Sequence, residues 1–537
     1  MKYFFIGLLG LVSTHSFSQN YNTIYANPFL ELGSSSGLSI HLLDDTLFIF
    51  GGIAVQNTGG TGNNLLLKYD LEGNFISEKL WDPLHEDLSA NLGRWGGVGL
   101  YNEQDSTFFS IAYSEYLNFQ ELDSENDNIL ILNRFGDEVL RNELEWQPFG
   151  KNLFGAKSIN SDEHLIYGGA WDSEGAGSLT DTGFLLNCNS LGETNWVHRY
   201  DSIAEIRFMS TLPEDGYLLG ASIFWSVNGG GNNNFYDQVI LKTNNLGEEQ
   251  WRYIFGGTEG ESYAPVTMHS DGTIITLGVD ALPGQGPEDG PLWFQRIQDN
   301  GDSYEVLDEL LWDNPGGYEH IPYGVKEVND GGIVGYGYGK PPWDDAIGDV
   351  PPSGFIYKVD ENLDSLWKRY YKHFTTEVDS HHAFHDMVEG PDSCFYLTGQ
   401  ASRGEGTGVF GLGHVWLVKL DQYGCLEPGC HLIEDTIDNV VQIIGLQNSL
   451  TVFPNPVKDN FTLEVSLPLE FSPPAHSVIK IIDINGREVK QVPLDNIGHQ
   501  HSERINIQEL SVGTYTLHWM NTGLWYDSVK IIVNGDF

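Results

Sequence analysis

Basic residues are scarce in this chain of 537 residues, in which 27 Lys and Arg stand against 75 Asp and Glu and give a formal net charge of −48. A surface of this sign repels phosphate backbones and anionic lipid headgroups, which argues against nucleic acid and against an anionic membrane as partners. It is typical of a protein that stays soluble in a saline medium. Charged residues make up only 19% of the chain and hydrophobic residues 40%, so we expect a packed core.

Long apolar runs are also missing after the first twenty residues. The start of the chain, MKYFFIGLLGLVSTHSFSQN, has one Lys, an apolar run at 3–12 and then small residues. This is the pattern of a secretory signal peptide, with cleavage expected after Ser18. The apolar run is too short to span a bilayer, and we predict no transmembrane segment.

Cysteines number only four. Cys425 and Cys430, in the segment YGCLEPGC, are a disulfide candidate after export. Cys188 and Cys394 fall in separate apolar strands, and we interpret them as buried thiols.

Familiar catalytic motifs are missing as well: we find no serine nucleophile elbow, phosphate loop or zinc-protease motif. Carboxylate pairs are so frequent in an acidic chain that no single pair indicates glycosidase chemistry. The sequence therefore names no catalytic residue.

A repeat is what the sequence does contain. A glycine-ended apolar strand, such as TLFIFGG at 46–52 or GYLLGAS at 216–222, precedes a loop of variable length and a strand such as LLLKYD or VILKTN. Seven copies can be aligned, and in six of them a tight turn and a strand with a Trp follow. Those tryptophans are Trp81, Trp146, Trp196, Trp251, Trp312 and Trp367. Their spacing of about 50 to 65 residues is the period of a propeller.

Each copy predicts four short antiparallel strands, A to D, and four such strands repeated radially form a β-propeller. The predicted fold class is all-β: a seven-bladed β-propeller followed by a small C-terminal β-sandwich. The seventh copy has no Trp-bearing strand, whereas the mature N-terminus has a spare strand. We therefore expect residues 21–30 to supply the missing strand D and to close the ring.

The loop lengths divide the predicted disc into two faces. The A–B turns (SDG, NDGG) and the C–D turns (NNLGE, DLEGN) are short and share one face, the short-turn face. The B–C loops, such as FWSVNGGGNNNFYD, and the D–A connections are long and variable and leave from the opposite, loop-rich face. Variable loops on a rigid scaffold are the usual place for binding, so we expect the ligand on the loop-rich face.

The chain changes character after the seventh copy. Residues 431–449 lack the repeat and are interpreted as a linker, and residues 450–537 alternate short strands and turns as in a small sandwich. Four motifs follow in order. They are Pro454-Asn455-Pro456, then DINGREV with Asp483, Gly486 and Arg487, then LSVGTYTL with Gly513 and Tyr515, and finally VKIIV.

This order of motifs resembles the type A C-terminal sorting domain of the type IX secretion system of Bacteroidota. The insertion PLEFSPPAHS and the tail NGDF depart from the family's pattern. The resemblance implies export across the outer membrane by the type IX secretion machinery, followed by removal of the domain, which leaves the cargo at the surface or released. The predicted domains are a signal peptide at 1–18, the propeller at 19–430, the linker at 431–449 and the sorting domain at 450–537.

Aromatic and basic residues on the loop-rich side are the ligand-binding candidates. Residues at the start of the A strands could form a ring that stacks on sugars or peptide side chains, although such residues also pack between blades. Aromatic residues in the loops are better candidates, because a loop residue need not be buried in the core. The candidates are Arg94, Trp95, Trp171, Arg207, Trp225, Tyr323, Trp343 and His381.

Two clusters raise the question of a metal. His381 and His385 share one face of a strand A, but nothing nearby completes a site, so we prefer ordinary channel-lining histidines. Asp123, Glu125 and Asp127 alternate like calcium ligands but lack the glycine and distal Glu of a helix–loop–helix site. We prefer a solvated loop there, compatible with weak calcium binding, and predict no cofactor and no metal site.

The sequence thus leads us to expect an exported protein that binds a glycan or a protein through its loop-rich face. The alternative is an extracellular polysaccharide hydrolase or lyase with carboxylates on the same face, and a third class is a structural adhesin component. A deep pocket with converging carboxylates would favour the enzyme, whereas a broad aromatic surface would favour binding.

Overall fold

The computed structural model of the protein describes residues 20–25, 33–55, 62–81, 89–90, 100–102, 107–112, 114–115, 128–146, 148, 150–171, 182–212, 216–226, 234–256, 264–280, 290–312, 320–340, 352–374, 380–404, 410–426, 430, 442–443, 449–467, 476–483, 488–495, 497–521 and 524–534. Within these ranges the chain forms strands β1 to β38 and no α-helix, and the predicted all-β class is confirmed. The described residues accordingly include no helix long and apolar enough to cross a membrane.

Groups of four antiparallel strands follow one another along the chain, and we name them blades 1 to 7. The N-terminal strand β1 (Tyr21–Ile24) belongs to blade 7. Blade 1 holds β2 (Gly33–Leu43), β3 (Thr46–Val55), β4 (Gly62–Asp70) and β5 (Phe75–Trp81). Blade 2 holds β7 (Leu100–Asn102), β8 (Thr107–Ala112), β10 (Asn128–Asn133) and β11 (Glu138–Glu143), next to a ribbon of β6 (Ser89–Ala90) and β9 (Ser114–Glu115). Blade 3 holds β12 (Gly150–Asn160), β13 (Glu163–Trp171), β14 (Thr182–Cys188) and β15 (Thr194–Arg199).

The second half of the ring is built in the same way. Blade 4 holds β16 (Ile203–Thr211), β17 (Tyr217–Ser226), β18 (Asn234–Thr243) and β19 (Glu249–Phe255). Blade 5 holds β20 (Val266–Met268), β21 (Ile274–Val279), β22 (Leu292–Asp299) and β23 (Tyr304–Trp312). Blade 6 holds β24 (His320–Glu327), β25 (Ile333–Gly339), β26 (Ser353–Val359) and β27 (Ser365–Tyr371). Blade 7 holds β28 (His381–Glu389), β29 (Phe395–Gly404), β30 (Phe410–Leu420) and β1.

The first strand of each blade, strand A, lies at the centre of the molecule. Strands A of blades 2 to 7 contact one another in sequence, and β28 of blade 7 contacts β2 of blade 1. The sheets therefore form a ring whose inner wall is made of A strands, which is a propeller-like arrangement. The number seven is our interpretation of these groups.

Strand β1 occupies the position of strand D in blade 7. It pairs antiparallel with β30, from Tyr21 opposite Lys419 to Ile24 opposite Trp416. The amide of Asn22 donates to the carbonyl of Lys372 at 2.9 Å, and its oxygen accepts from the Trp416 indole at 2.7 Å. Residues 26–32, part of the segment predicted to close the ring, lie outside the described residues.

The C–D turns explain the repeated Asp/Asn-x-x-Gly sequence. In blade 4 the side-chain oxygen of Asn244 accepts from the backbone N–H groups of Leu246 and Glu248 at 3.0 and 2.9 Å, and Gly247 has a φ of 81°. This side chain caps the turn, and the left-handed conformation favours glycine. The same side-chain acceptor begins the turns at Asp70, Asn133, Asn189, Asp360 and Asp421.

Three of these turns lie under an aromatic side chain of the preceding blade. A Cβ at Gly247 would lie 2.5 Å from the Trp196 ring, and one at Gly424 would lie 2.6 Å from Trp367. At the junction of blades 7 and 1, a Cβ at Gly73 would lie 2.7 Å from Tyr21. The absence of a side chain on the turn therefore lets the ring cover the turn and joins neighbouring blades.

The tryptophans of the repeat do not all occupy the same position along strand D. Trp196 and Trp367 pair with the end of strand C, next to the turn. Trp312 instead pairs with Leu292 at the start of strand C, on the loop-rich side, where its ring lies 4.5 Å from Tyr357 of the next blade. Different blades therefore carry the tryptophan of strand D at opposite ends of the strand.

A two-layer sandwich follows the ring. One sheet has the order β32 (Leu450–Phe453), β33 (Asn460–Ser466) and β36 (Gln500–Asn506). The other has the order β38 (Leu524–Val533), β37 (Gly513–Asn521), β34 (His476–Asp483) and β35 (Glu488–Asp495). Buried residues from both sheets, among them Phe461, Leu463, Ile479 and Trp519, form its core.

The segment interpreted as a linker contributes a strand of its own. Strand β31 (Gln442–Ile443) runs parallel to both β27 and β38, so blade 6 and the second sandwich sheet form one nine-stranded sheet. Ile482 and Met520 of the sandwich are buried in the same apolar cluster as Tyr371 of blade 6. The sandwich is therefore docked on the outer edge of the ring.

The cysteines divide into a pair and two thiols. Cys425 and Cys430 form a disulfide directly after the C–D turn of blade 7. Cys188 is buried, but Cys394 is only half-buried, because it lies where strand β29 leaves the A–B turn, and the interpretation of Cys394 as a buried thiol is wrong. Burial raises the pKa of both thiols to about 12, so neither is a reactive thiolate at neutral pH.

Replacing a covered turn glycine should cost more than replacing an open one. Gly247 and Gly301 both have positive φ angles, but a Cβ at Gly301 would have no neighbour within 4 Å. We expect Gly301→Ala to cost about 1 kcal/mol through its backbone conformation. Gly247→Ala should cost about 1–3 kcal/mol more, because Trp196 must move. The two melting temperatures test this, and equal losses would contradict the covering role of Trp196.

Candidate functional site

The inner strands carry a bulge at a common position, and five residues there define what we call the bulge ring. At this position a register shift against strand B places one extra residue in strand A of blades 1, 3, 4, 6 and 7, and blades 3 and 4 have a second shift elsewhere in the strand. The extra residues are Leu38, Phe154, Arg207, Tyr323 and His385. A bulge bends the strand and re-aims a side chain, so the fold presents these five residues at one level of the channel wall.

Glycines of strand B make room for these bulges. A Cβ at Gly51, Gly337 or Gly399 would overlap a backbone carbonyl of strand A, that of Ser36, Ile321 or Ala383. Each of these carbonyls lies two residues before the bulged residue. The glycine-ended strand of the repeat is therefore the partner that the bulged backbone requires.

Members of the bulge ring contact one another between blades. The Arg207 guanidinium lies 4.8 Å from the centre of the Phe154 ring, and the ring centres of Tyr323 and His385 lie 5.2 Å apart. His385 Nδ1 donates to the Gly37 carbonyl at 2.8 Å, which joins blade 7 to blade 1. Arg207, Tyr323 and His385 are each half-buried.

Blades 3 and 6 repeat the same inner-strand sequence, an aromatic residue followed by Gly, any residue and Lys. It ends at Lys157 in blade 3 and at Lys326 in blade 6. Lys157 Nζ donates to the Thr211 hydroxyl at 3.2 Å. Burial lowers the pKa of Lys157, and the Lys326 ammonium lowers it further, so the two amines act on each other across the ring.

Asp386 joins blades 1, 6 and 7 below the bulge ring. Its Oδ1 accepts from Lys326 Nζ at 2.7 Å and from the Tyr336 hydroxyl at 3.2 Å, and its Oδ2 accepts from the Ile40 amide at 3.0 Å. Burial favours the neutral acid, but the Lys326 ammonium and these hydrogen bonds outweigh it, and the pKa of Asp386 lies below its ordinary value. An ionised carboxylate saturated in this way is a structural tie and not a proton donor.

Glu205 is similarly committed, because it forms an ion pair with Arg207 two residues along the same strand. Both described carboxylates beside the bulge ring, Glu205 and Asp386, are therefore ion-paired. The channel at this level offers aromatic faces, a guanidinium, an imidazole and amines, which are groups that stack on ring systems and donate hydrogen bonds.

The structure brings together two of the eight predicted ligand-binding residues, Arg207 and Tyr323, in the bulge ring. His381 begins strand β28 at the loop-rich end of blade 7, where it stacks on Tyr338 with ring centres 4.7 Å apart. Trp171 ends strand β13. Trp225 of β17 pairs with Phe235 of β18. Trp171 and Trp225 both lie at the loop-rich ends of their strands. Arg94, Trp95 and Trp343 lie outside the described residues, as do the acidic residues Asp123, Glu125 and Asp127.

His381 and His385 do not act as one pair. The bulge at His385 breaks the alternation that would place both rings on one face, and the two rings stack on different tyrosines. Within the part of the chain that the structure describes, no group of three or more His, Cys, Asp or Glu side chains is arranged to hold a metal ion. Phe384, next to His385 in strand β28, is fully buried and stacks on Trp416 of β30.

Sequence reasoning did not find the bulges at Phe154 and His385, and it did not place Phe154 under the Arg207 guanidinium. The signal was present in the bulge-compatible glycines of strand B. An alignment of A strands on those glycines would have placed both residues at the level of Arg207 and Tyr323.

The C-terminal motifs meet around the last strand of the sandwich. Asn455 donates from its amide to the Lys530 carbonyl at 2.8 Å and accepts from the Ile532 amide at 2.9 Å, between Pro454 and Pro456. Tyr515, two residues after Gly513, donates its hydroxyl to the Ser511 carbonyl at 2.8 Å. Asp483 ends β34, and Gly486 and Arg487 lie outside the described residues.

Comparison with known families matches residues 451–534 to the family described as the secretion system C-terminal sorting domain. Residues 451–534 are such a sorting domain. The resemblance to the type IX sorting domain is confirmed, and the sorting domain indicates export to the cell surface or secretion through the type IX secretion machinery. The comparison with curated proteins found no match.

Solved structures of similar architecture have low sequence identity to this chain. A puromycin hydrolase is 11% identical with a TM-score of 0.44, over 85% of this chain and 62% of its own. A PL25 ulvan lyase is 10% identical with a TM-score of 0.43, over 76% of this chain and 97% of its own. The α-L-arabinofuranosidase Arb93A of Fusarium graminearum is 10% identical with a TM-score of 0.37, over 63% of this chain and 96% of its own.

The chain thus spans less than two thirds of the length of the puromycin hydrolase. At these identities the similarity concerns the arrangement of strands and does not extend to the ligand.

Breaking the Asp386–Lys326 pair should destabilise the ring in a pH-dependent way. Asp386→Asn keeps the shape but leaves the Lys326 ammonium without its counter-charge. Because the Lys326 side chain is 42% exposed, water screens the pair, and we expect a loss of about 1 kcal/mol at pH 7. The folded-state pKa is depressed, so this stability is present above the ordinary Asp pKa of about 4 and disappears as the pH falls below it.

Melting temperatures from pH 7 to pH 3 test this prediction. The difference between the protein and Asp386→Asn should shrink over that range, and Asp386→Asn should cost less in a Lys326→Met background. A loss that is the same at pH 3 and pH 7 would contradict the ionic role.

Asn455→Ala should reduce export, because the final strand of the sorting domain loses both of its ties to the Pro-Asn-Pro segment. Asn506 is a matched control: it is exposed and caps a local turn by accepting from the Gln508 amide at 3.0 Å. The fraction of protein outside the cell should fall several-fold for Asn455→Ala and stay unchanged for Asn506→Ala. Normal export of Asn455→Ala would show that the tie to the last strand is dispensable.

Proposed function

We propose that the protein is an exported binding module, which holds a glycan or a protein on the loop-rich face of a seven-bladed propeller. The proposed organisation is a signal peptide at 1–18, the propeller at 19–430, a linker at 431–449 and the sorting domain at 450–537. The sorting domain delivers the propeller, and the propeller carries the binding surface. Weak calcium binding by the loop at 123–127 is kept as a secondary proposal.

The bulge ring is the observation that supports binding best. Arg207 over Phe154 and Tyr323 beside His385 offer a guanidinium, an imidazole and aromatic faces at one level of the channel. Such groups stack on sugar rings and on planar side chains. Glu205 beside Arg207 and Asp386 below the bulge ring are both ion-paired, so this wall is better suited to holding a ligand than to acid–base chemistry.

One observation favours the alternative of a hydrolase or lyase. Asp280 lies at the loop-rich end of strand B in blade 5, and burial raises the pKa of its carboxyl above the ordinary value. A carboxyl shifted in this direction is suited to act as a general acid. The enzyme would use Asp280 together with a second carboxylate on the same face.

The full chain should be incubated with a panel of polysaccharides and proteins in calcium buffer, and both retention and product size should be read. We expect retention of an intact ligand. Tyr323→Ala should then weaken binding about tenfold, which corresponds to one lost aromatic contact of about 1.4 kcal/mol. Phe135→Ala is the matched control, since Phe135 is 65% exposed on the short-turn face.

Product size separates the two functions. If the protein shortens a polysaccharide and Asp280→Asn does not, the protein is an enzyme and the binding-module proposal is wrong. Binding that is unchanged in Tyr323→Ala would move the ligand away from the bulge ring, and no retention of any probe would contradict the proposed function.

A further inference from the structure

Blades 3 and 6 place the same groups below the bulge ring. In each blade a glycine follows the bulged residue directly, a lysine stands two positions later, and a tyrosine of strand B pairs with the glycine. A Cβ at Gly155 would overlap the hydroxyl of Tyr167, and a Cβ at Gly324 would overlap that of Tyr336. The two tyrosines, and with them the two lysines, therefore occupy equivalent positions.

Blade 7 completes this arrangement beside blade 6, because it supplies a carboxylate. Asp386 Oδ1 accepts from both Lys326 Nζ and the Tyr336 hydroxyl. Blade 4 lies beside blade 3 in the same way, but it has Phe208 at the position of Asp386. Both residues directly follow the bulged residue and pair with the same position of strand B. Blade 4 therefore gives the amine and the phenol of blade 3 no carboxylate to share.

Lys157 is consequently left without a counter-charge. Its Nζ donates to the Thr211 hydroxyl at 3.2 Å, and it contacts no carboxylate of the described residues. Burial and the Lys326 ammonium both lower the pKa of Lys157, and no acidic group contributes to the shift. The Tyr167 hydroxyl, unlike that of Tyr336, has no hydrogen-bond partner in the described part of the chain. Polar groups left in this state cost free energy that a bound acceptor recovers.

The Lys157 amine lies inside the channel, and water reaches it. It contacts blade 4 and is also affected by Lys326, which belongs to a blade across the ring. Lys157 is half-buried, and 42% of the Lys326 side chain is exposed. The other lysine and arginine side chains described on the inner strands are paired, Lys326 with Asp386 and Arg207 with Glu205. One uncompensated positive charge therefore remains at this level of the channel.

We propose that the channel binds the carboxylate of a uronic acid at Lys157 and Tyr167, as blades 6 and 7 hold the carboxylate of Asp386. The Lys157 ammonium supplies the charge, and the hydroxyls of Tyr167 and Thr211 supply hydrogen bonds. Phe208 is half-buried and offers an aromatic face on which the sugar ring that carries the carboxylate can stack. This inference rests on the proposed binding function and names its ligand class.

A carboxylate fits this site better than a larger anion, because the equivalent donors of blade 6 already hold one, that of Asp386. A single negative charge also matches the single uncompensated ammonium. The net charge of −48 opposes any anion at long range, but salt near 0.15 M screens it beyond about 8 Å, so the contacts in the channel decide.

Two variants test the site without any ligand. Phe208→Asp places a carboxylate at the position of Asp386, whereas Phe208→Asn has nearly the same size and no charge. Because the new carboxylate would pair with Lys157, Phe208→Asp should melt about 2 °C higher than Phe208→Asn at pH 7. The difference should disappear in a Lys157→Met background. Equal melting temperatures of the two variants would contradict the site.

Glucuronate and glucose, which share a ring and differ in the carboxylate, test the ligand on the full chain by calorimetry. We expect glucuronate to bind at least tenfold more tightly, and Lys157→Met should remove this preference. Phe208→Asp should remove it as well, because its own carboxylate occupies the site. Lys79→Met is the matched control, since Lys79 lies on the outer strand of blade 1 and is paired with Asp137. The affinity of this control should not change.

Sulfate and N-acetylglycine are the competing probes, for a larger anion and for the carboxyl end of a peptide. Tighter binding of either one than of glucuronate would overturn the ligand class, as would equal binding of glucuronate and glucose. Unchanged affinity in Lys157→Met would overturn the site. Retention of a neutral glycan that depends on Tyr323, with no preference for glucuronate, would leave the proposed binding function standing and overturn this inference alone. No binding of any probe would overturn both.

Discussion

Gly247 lies under Trp196 of the preceding blade, and the geometry of the ring depends on contacts of this kind. The turn needs a residue with positive φ, and the neighbouring aromatic ring needs a turn without a side chain. One glycine meets both requirements. Tyr200 follows Trp196 by four residues, and its hydroxyl donates to the Gly247 carbonyl at 2.8 Å. This hydrogen bond fixes the same contact between the two blades. Local turn chemistry and the packing of whole blades are therefore decided by the same residue.

Ring closure reuses this contact with residues from the other end of the chain. In strand D of blades 3 and 6 an aromatic residue and a Tyr stand four positions apart, Trp196 with Tyr200 and Trp367 with Tyr371. Strand β1 has the same spacing in Tyr21 and Tyr25, and Tyr21 covers Gly73 of blade 1. Strand β1 thus has the aromatic spacing of a strand D. Its pairing with β30 covers the edge of blade 7 that would otherwise be unpaired.

The disulfide of blade 7 belongs to the same arrangement. Elsewhere the chain passes from the C–D turn into strand D of the same blade. After Cys425 it is instead tied back to Cys430, and the amide of Asn20 donates to the Cys425 carbonyl at 2.9 Å. In this blade the N-terminal strand β1 occupies the position of strand D.

Much of this architecture could be predicted from the sequence because it follows from local rules. Turn residues such as Asn244 and Gly247, the alternation of apolar residues and the count of repeats report short-range structure directly. The Pro-Asn-Pro motif and the motifs after it likewise identified the sorting domain. The role of the tryptophans could not be predicted, because Trp196 and Trp312 fulfil their roles only against the next blade, and sequence spacing does not show which end of strand D that blade leaves uncovered.

The candidate site was predictable in part for a related reason. Arg207 and Tyr323 were found by their residue type at the start of a strand, but a bulge shifts the side-chain alternation by one residue, and a period of two cannot show it. His381 and His385 were paired by that alternation, and the bulge separates them.

The repeat glycine of strand B connects the scaffold to the site. It is required because the bulged strand A passes so close that any side chain would meet a carbonyl, as at Gly337 and Gly399. The same bulge turns Tyr323 and His385 toward the channel. A residue that looks purely architectural in the sequence therefore sets the direction of the side chains that meet a ligand. Since the constraint acts on the backbone, the bulged residue itself is free to vary, and blades 1, 4 and 7 accordingly carry Leu38, Arg207 and His385 at one structural position. Binding specificity can thus change at these positions without loss of the ring, which is the condition under which a repeat scaffold acquires a ligand.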